Sequence, residues 1–126
     1  MERLIQNVDH VQLPVNDMNK AISWYSEVLG LEPFTVYPHA AWLKFGSGPV
    51  LMLHYSTKNE KTSWFAEDGL PMPSFMFITR KISLLHSILQ NHNVHIRQYE
   101  DHGFGCVIKF VDPFGNELGA YEPKEA

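Results

Sequence analysis

Apolar and polar residues alternate over Val8-Asp9-His10-Val11-Gln12-Leu13-Pro14-Val15. Val11, Leu13 and Val15 share one face, and His10, Gln12 and Pro14 share the other, which predicts a half-buried strand. Asn16 or Asp17 then offers a helix N-cap. The period changes there, with Met18, Ala21, Ile22, Tyr25, Val28 and Leu29 recurring at the spacing of one helix face. Gly30 stands where a left-handed C-terminal cap is wanted. Three strands are expected next, over 33–37, 41–45 and 50–55, the last two joined by the turn-forming Gly46-Ser47-Gly48-Pro49. Residues 56–72 are polar and broken, with Trp64-Phe65 in their middle, and read as a linker.

The order then repeats. A strand is expected over 74–79 and a helix over 81–92, with Ile82, Leu85, Ile88 and Leu89 on one face. Asn93 holds the cap position that Gly30 holds earlier. Strands are expected over 94–99, 105–111 and 117–122, the last two separated by the turn Asp112-Pro113-Phe114-Gly115-Asn116. One shift along the chain lays Met18 on Ile82, Ala21 on Leu85 and Tyr25 on Leu89. This phase match predicts a duplicated α+β fold of two strand–helix–strand–strand–strand (βαβββ) modules in one domain. Module one covers about 6–55, the linker 56–72 and module two about 73–123.

Composition narrows the function classes. Hydrophobic residues make up 44% of the 126, enough for a core and too many for a disordered chain. Fourteen acidic against ten basic residues give a net charge of -4, with no basic excess to neutralise nucleic-acid phosphates. No apolar run approaches the ~20 residues a membrane helix needs. The first residues lack the pattern of a secretory signal, so a cytoplasmic protein is expected. Cys106 is the single cysteine, which excludes an intramolecular disulfide or a multi-cysteine metal site. Phosphate-binding glycine loops, a Gly-x-Ser-x-Gly elbow and a Cys-x-x-Cys pair are absent from the sequence.

Three stretches carry a family resemblance: Val8 to Asp17, Ala21-Ile22-Ser23-Trp24-Tyr25-Ser26-Glu27-Val28-Leu29-Gly30-Leu31, and Phe110-Val111-Asp112-Pro113-Phe114-Gly115-Asn116. Together they resemble the vicinal oxygen chelate superfamily of glyoxalases, bleomycin-resistance proteins and extradiol dioxygenases. The resemblance implies two modules whose sheets curl around a shared cavity. It also implies a divalent metal held by one residue from the first and one from the last strand of each module, usually His and Glu. Open metal positions would let two neighbouring substrate oxygens chelate. Carried onto this chain, the four positions fall on His10, Met52, Ser74 and Gly119. Of these only the imidazole is a strong ligand for a divalent ion. The expectation is therefore no metal and no cofactor. The alternative is a rebuilt two-histidine, one-carboxylate site of His10, His54 and Glu117, serving a metal-dependent lyase or dioxygenase-like enzyme.

The first functional reading is a binder of a small aromatic or planar molecule, as in the bleomycin-resistance proteins. Its ligand-binding residues are His10, Gln12, Met52, His54, Ser74, Glu117 and Tyr121, with Leu43, Met76, Phe110 and Gly119 completing an apolar lining. A third reading is a structural or regulatory module with no ligand of its own. Catalysis by His10 or His54 as acid or base stays open. Trp64-Phe65 either covers an interface or pocket or is pinned to its own sheet. Lys109 binds an anion if it faces inward and is a snorkelling surface residue if it faces out. His39, His86, His92, His95 and His102 read as surface residues. A homodimer is expected, because sheet edges and the aromatic linker need cover.

Overall fold

In a computed structural model, residues 1–58 and 60–125 are described; residue 59, inside the expected linker, and residue 126 lie outside the described residues. The chain forms two compact units, Met1–Lys58 and Asn59–Ala126. Its class is the expected α+β, with a strand–helix–three-strand order in both units, preceded in the second by a short hairpin.

In the first unit β1 (His10–Val15) leads into α1 (Met18–Glu27), followed by β2 (Glu32–Val36), β3 (Ala40–Lys44) and β4 (Val50–Tyr55). Asp17 is the N-cap, its Oδ1 accepting from the Lys20 N–H at 3.1 Å. Gly30 ends the helix at φ +76°, with its N–H donating to Ser26 O and the Leu31 N–H to Tyr25 O, each at 3.1 Å. The sheet order is β1-β4-β3-β2, with β1 parallel to β4 and the other pairs antiparallel. Met18, Ala21 and Tyr25 of α1 are buried, as are Leu13, Val15, Ala41, Leu43, Leu51 and Leu53 on the sheet face that α1 covers. That face is the apolar set of the alternation, so burial follows from the two periods meeting.

The second unit opens with the short strands β5 (Trp64–Phe65) and β6 (Pro71–Met72), paired antiparallel, so the expected linker contains a hairpin. Then come β7 (Phe77–Ile78), α2 (Ile82–Asn91), β8 (Ile96–Asp101), β9 (Gly105–Val111) and β10 (Glu117–Pro123). The order β7-β10-β9-β8 repeats that of the first unit, again with one parallel pair, β7 and β10. Asn93 takes the left-handed conformation at φ +56°, as the cap position demands. Lys81 gives α2 no side-chain cap; Glu122 of β10 supplies it, its Oε1 accepting from the Ile82 N–H at 3.0 Å.

Both units carry a register shift in the strand after the helix. Phe34 is the extra residue in β2 and Arg97 the extra residue in β8. The turn before β10 is held by a buried network. Asp112 Oδ1 accepts from the Phe114 and Asn116 N–H groups at 2.9 and 2.8 Å, and Asn116 Nδ2 donates to Asp112 Oδ2 at 2.8 Å. Asn116 Oδ1 accepts from the Thr62 N–H at 2.9 Å, which ties the incoming hairpin segment to this turn. No helix among the described residues is long and apolar enough to cross a membrane.

Candidate functional site

Each sheet has one face under its helix and one face turned away from it. In the first unit the face away from α1 carries His10 and Gln12 of β1, Met52 and His54 of β4, and Trp42 and Lys44 of β3, as the register requires. Gln12 stands beside Met52 and Met52 beside Trp42. His10 Nδ1–H donates to Asp9 Oδ2 at 2.9 Å, and Gln12 Nε2–H donates to His10 Nε2 at 2.9 Å. This is the pattern of the tautomer with its proton on Nδ1. Met52 and Trp42 are half-buried, offering a thioether and an indole next to that polar pair.

His54 does not join His10. In the parallel register His10 pairs with Val50, and His54 pairs with Pro14. Four positions along a strand separate the two, about 13 Å. His54 is exposed, and its Nδ1–H donates to Tyr55 O at 3.1 Å.

In the second unit Glu117, Gly119 and Tyr121 face away from α2. Glu117 is 4% exposed, and its Oε1 accepts from Arg97 Nε at 2.6 Å. The register shift in β8 accommodates Arg97 as the extra residue beside this carboxylate. A buried carboxylate is tolerable only with such a partner, so Glu117 is committed within its own unit. Tyr121 is half-buried and its hydroxyl donates to Phe104 O at 3.2 Å. Ser74 lies exposed in a bend ahead of β7, because β7 pairs with β10 only at Phe77 and Ile78 rather than over 74–79. A Cβ on Gly119 would lie 2.5 Å from Met76 Sδ and 3.3 Å from Pro73 Cγ.

Two expected lining residues are placed otherwise. Leu43 pairs with Leu51 under α1, and Phe110 pairs with Leu118 on the α2 side, both fully buried. Strand alternation puts each among the core residues two positions away. The open question over β9 is settled by the same parity: Lys109 faces away from α2, while half-buried Cys106 is on the α2 side between Glu122 and Asp101. Trp64 is pinned locally, its Nε1–H donating to Pro73 O at 3.0 Å. His86 stacks on Tyr99 and His102 on Phe104. The sequence reasoning missed Asp9, Trp42 and Arg97. Asp9 was legible as the neighbour of His10, whereas Arg97 depends on a bulge that no local pattern announces.

The donors do not fit the metal that the fold family implies. The first module's positions offer an imidazole and a thioether. The second module's offer an exposed hydroxyl and a glycine whose side-chain space Met76 occupies. The rebuilt set fails on the spacing of His10 and His54 and on the commitment of Glu117 to Arg97. Among the described residues, no group of three or more His, Cys, Asp or Glu side chains is placed to hold an ion.

A model of the Glyoxalase/Bleomycin resistance protein/Dioxygenase superfamily matches residues 7–119. The chain belongs to this superfamily, and solved structures of the same fold agree. TnmS3, an antibiotic-binding protein from Streptomyces sp. CB03234, is 25% identical, with 98% of this chain and 100% of that chain covered and a TM-score of 0.74. The fosfomycin resistance protein FosX from Listeria monocytogenes is 13% identical, with 96% of each chain covered and a TM-score of 0.74. Lactoylglutathione lyase from Agrobacterium tumefaciens is 17% identical, with 95% of this chain and 96% of that one covered and a TM-score of 0.73.

Proposed function

We propose that this protein binds a small aromatic or planar molecule without the help of a divalent metal. One observation carries the reading: on the face away from α1, the half-buried Trp42 and Met52 adjoin the hydrogen-bonded pair His10 and Gln12. An indole and a polarisable thioether suit a flat apolar body, and the imidazole and amide orient its polar edge. His54 marks the far end of this face. The likeness to an antibiotic-binding protein supports binding rather than turnover. The protein works in the cytoplasm as a homodimer, which covers the apolar edge residues Phe34, Val36 and Tyr37.

A panel of planar aromatic compounds, read by thermal shift and by indole fluorescence in a variant retaining only Trp42, tests this. Several compounds are expected to raise the melting temperature and quench Trp42, and Met52→Ala is expected to weaken both effects. A panel that leaves the protein unmoved, or binding that needs an added divalent ion, overturns the reading. Light scattering across a wide concentration range tests the dimer; a constant monomer mass removes it.

A further inference from the structure

The side chains around His10 form a one-way chain of hydrogen bonds. The Asp9 carboxylate can only accept, so His10 Nδ1–H donates to it, at 2.9 Å. Nε2 is left unprotonated, an acceptor for the amino end of the Gln12 amide at 2.9 Å. The direction of that amide follows. One N–H is spent on His10, and the carbonyl is left for another donor. Among the described residues the Gln12 side chain has no further hydrogen-bond partner. An N–H donor and the Oε1 acceptor therefore stand unused, side by side, on an exposed residue.

The register gives this amide its neighbours. Gln12 is level with Met52, and Met52 with Trp42. Neighbouring strands lie about 4.8 Å apart, so amide, thioether and indole form a row about 10 Å long from β1 to β3. The indole end is braced, with Tyr37 packed edge-on against Trp42 at 5.9 Å between ring centroids. β1, β4 and β3 place no carboxylate on this face. Their one cation here, Lys44, is drawn to the Phe34 ring, its Nζ 5.5 Å from the centroid. What the row offers the edge of a flat molecule is thus a neutral donor beside a neutral acceptor. A planar heterocycle with an adjacent acceptor and donor takes both bonds at once, as base edges do with glutamine. An edge with only one of the two groups takes one.

We infer that Gln12 reads an adjacent N–H and C=O on the ligand, so that the molecule bound is a planar bicyclic lactam. The inference rests on the small-molecule reading above and names the polar edge which that reading leaves open. The fused rings lie over Met52 and reach Trp42, while Asp9 and His10 hold the amide in the direction that meets the lactam.

The test uses three flat molecules of one shape. Carbostyril carries the lactam, N-methylcarbostyril keeps the carbonyl and loses the N–H, and coumarin has a ring oxygen in place of the N–H. Binding to the intact protein is measured by calorimetry. Carbostyril is expected to bind about tenfold more tightly than the other two. Gln12→Met keeps the length of the side chain without its amide, and Gln12→Leu removes the amide with a different shape. Both are expected to level the three compounds, and because Gln12 is exposed neither is expected to disturb the fold. Three compounds that bind the unaltered protein equally, or a margin that survives in both variants, overturn the lactam assignment. Failure of all three to bind while other planar aromatics do overturns it alone. If no planar aromatic binds, the small-molecule reading falls and takes this one with it.

Discussion

Met76 places its sulfur where a side chain on Gly119 would begin. The separation from an ideal Cβ is 2.5 Å, and Met76 Cε would lie at 2.9 Å. Met76 is flexible and 43% exposed, so it yields at a modest cost. Gly119→Ala is expected to lower stability by about 1 kcal/mol, and Met76→Ala to remove most of that penalty. Denaturant unfolding of both single variants and the double variant measures the coupling. Strictly additive losses would show that the two residues do not compete for that space.

The same crowding bears on metal binding. Protein purified without added metal is expected to hold no stoichiometric divalent ion, and a chelator is expected to leave its melting temperature unchanged. A structural or catalytic ion needs about three or more protein ligands, and His10 stands alone as a strong one at the family positions. Elemental analysis checks this.

The Arg97–Glu117 pair is asymmetric. The Glu117 side chain is 5% exposed and that of Arg97 39%. Arg97→Ala strands a buried carboxylate and is expected to cost about 3 kcal/mol. Glu117→Ala leaves a guanidinium that reaches water, and about 1 kcal/mol is expected after solvent screening. Equal losses in chemical unfolding would contradict this account of the pair.

Gly30 tests backbone strain in isolation. A Cβ there meets nothing within 4 Å, yet φ is +76°. Gly30→Ala is expected to cost about 1 kcal/mol from the left-handed conformation alone. No loss would mean that the helix end re-forms around the new residue.

Much of the fold was legible because its determinants are local. The apolar spacing of Met18, Ala21 and Tyr25, the Asp17 cap and the turn at Asp112 each act within a few residues. The β9 bounds follow from alternation between Gly105 and the turn. The shortened β7 and the β5–β6 hairpin were not legible. One depends on how far the chain can follow β10 and the other on bonds such as Thr62 to Asn116. The faces of His10, Gln12 and Met52 could be read from parity. Leu43 was misplaced because Ala-Ala-Trp-Leu-Lys carries too little contrast to say which phase points inward.

Glu122, which caps α2, lies on the strand that also joins β7 to β9. On a ribosome the first unit has all its strands once Tyr55 has emerged, whereas the second must wait for β10. Until then β7 has no neighbour in its sheet, α2 has an open amino end, and the apolar side of β9 lacks half its cover. The protein is therefore synthesised with the strands of its first sheet all present early and its second sheet incomplete until β10 emerges. Holding chaperones and proteases would find their substrate in that second, unfinished sheet.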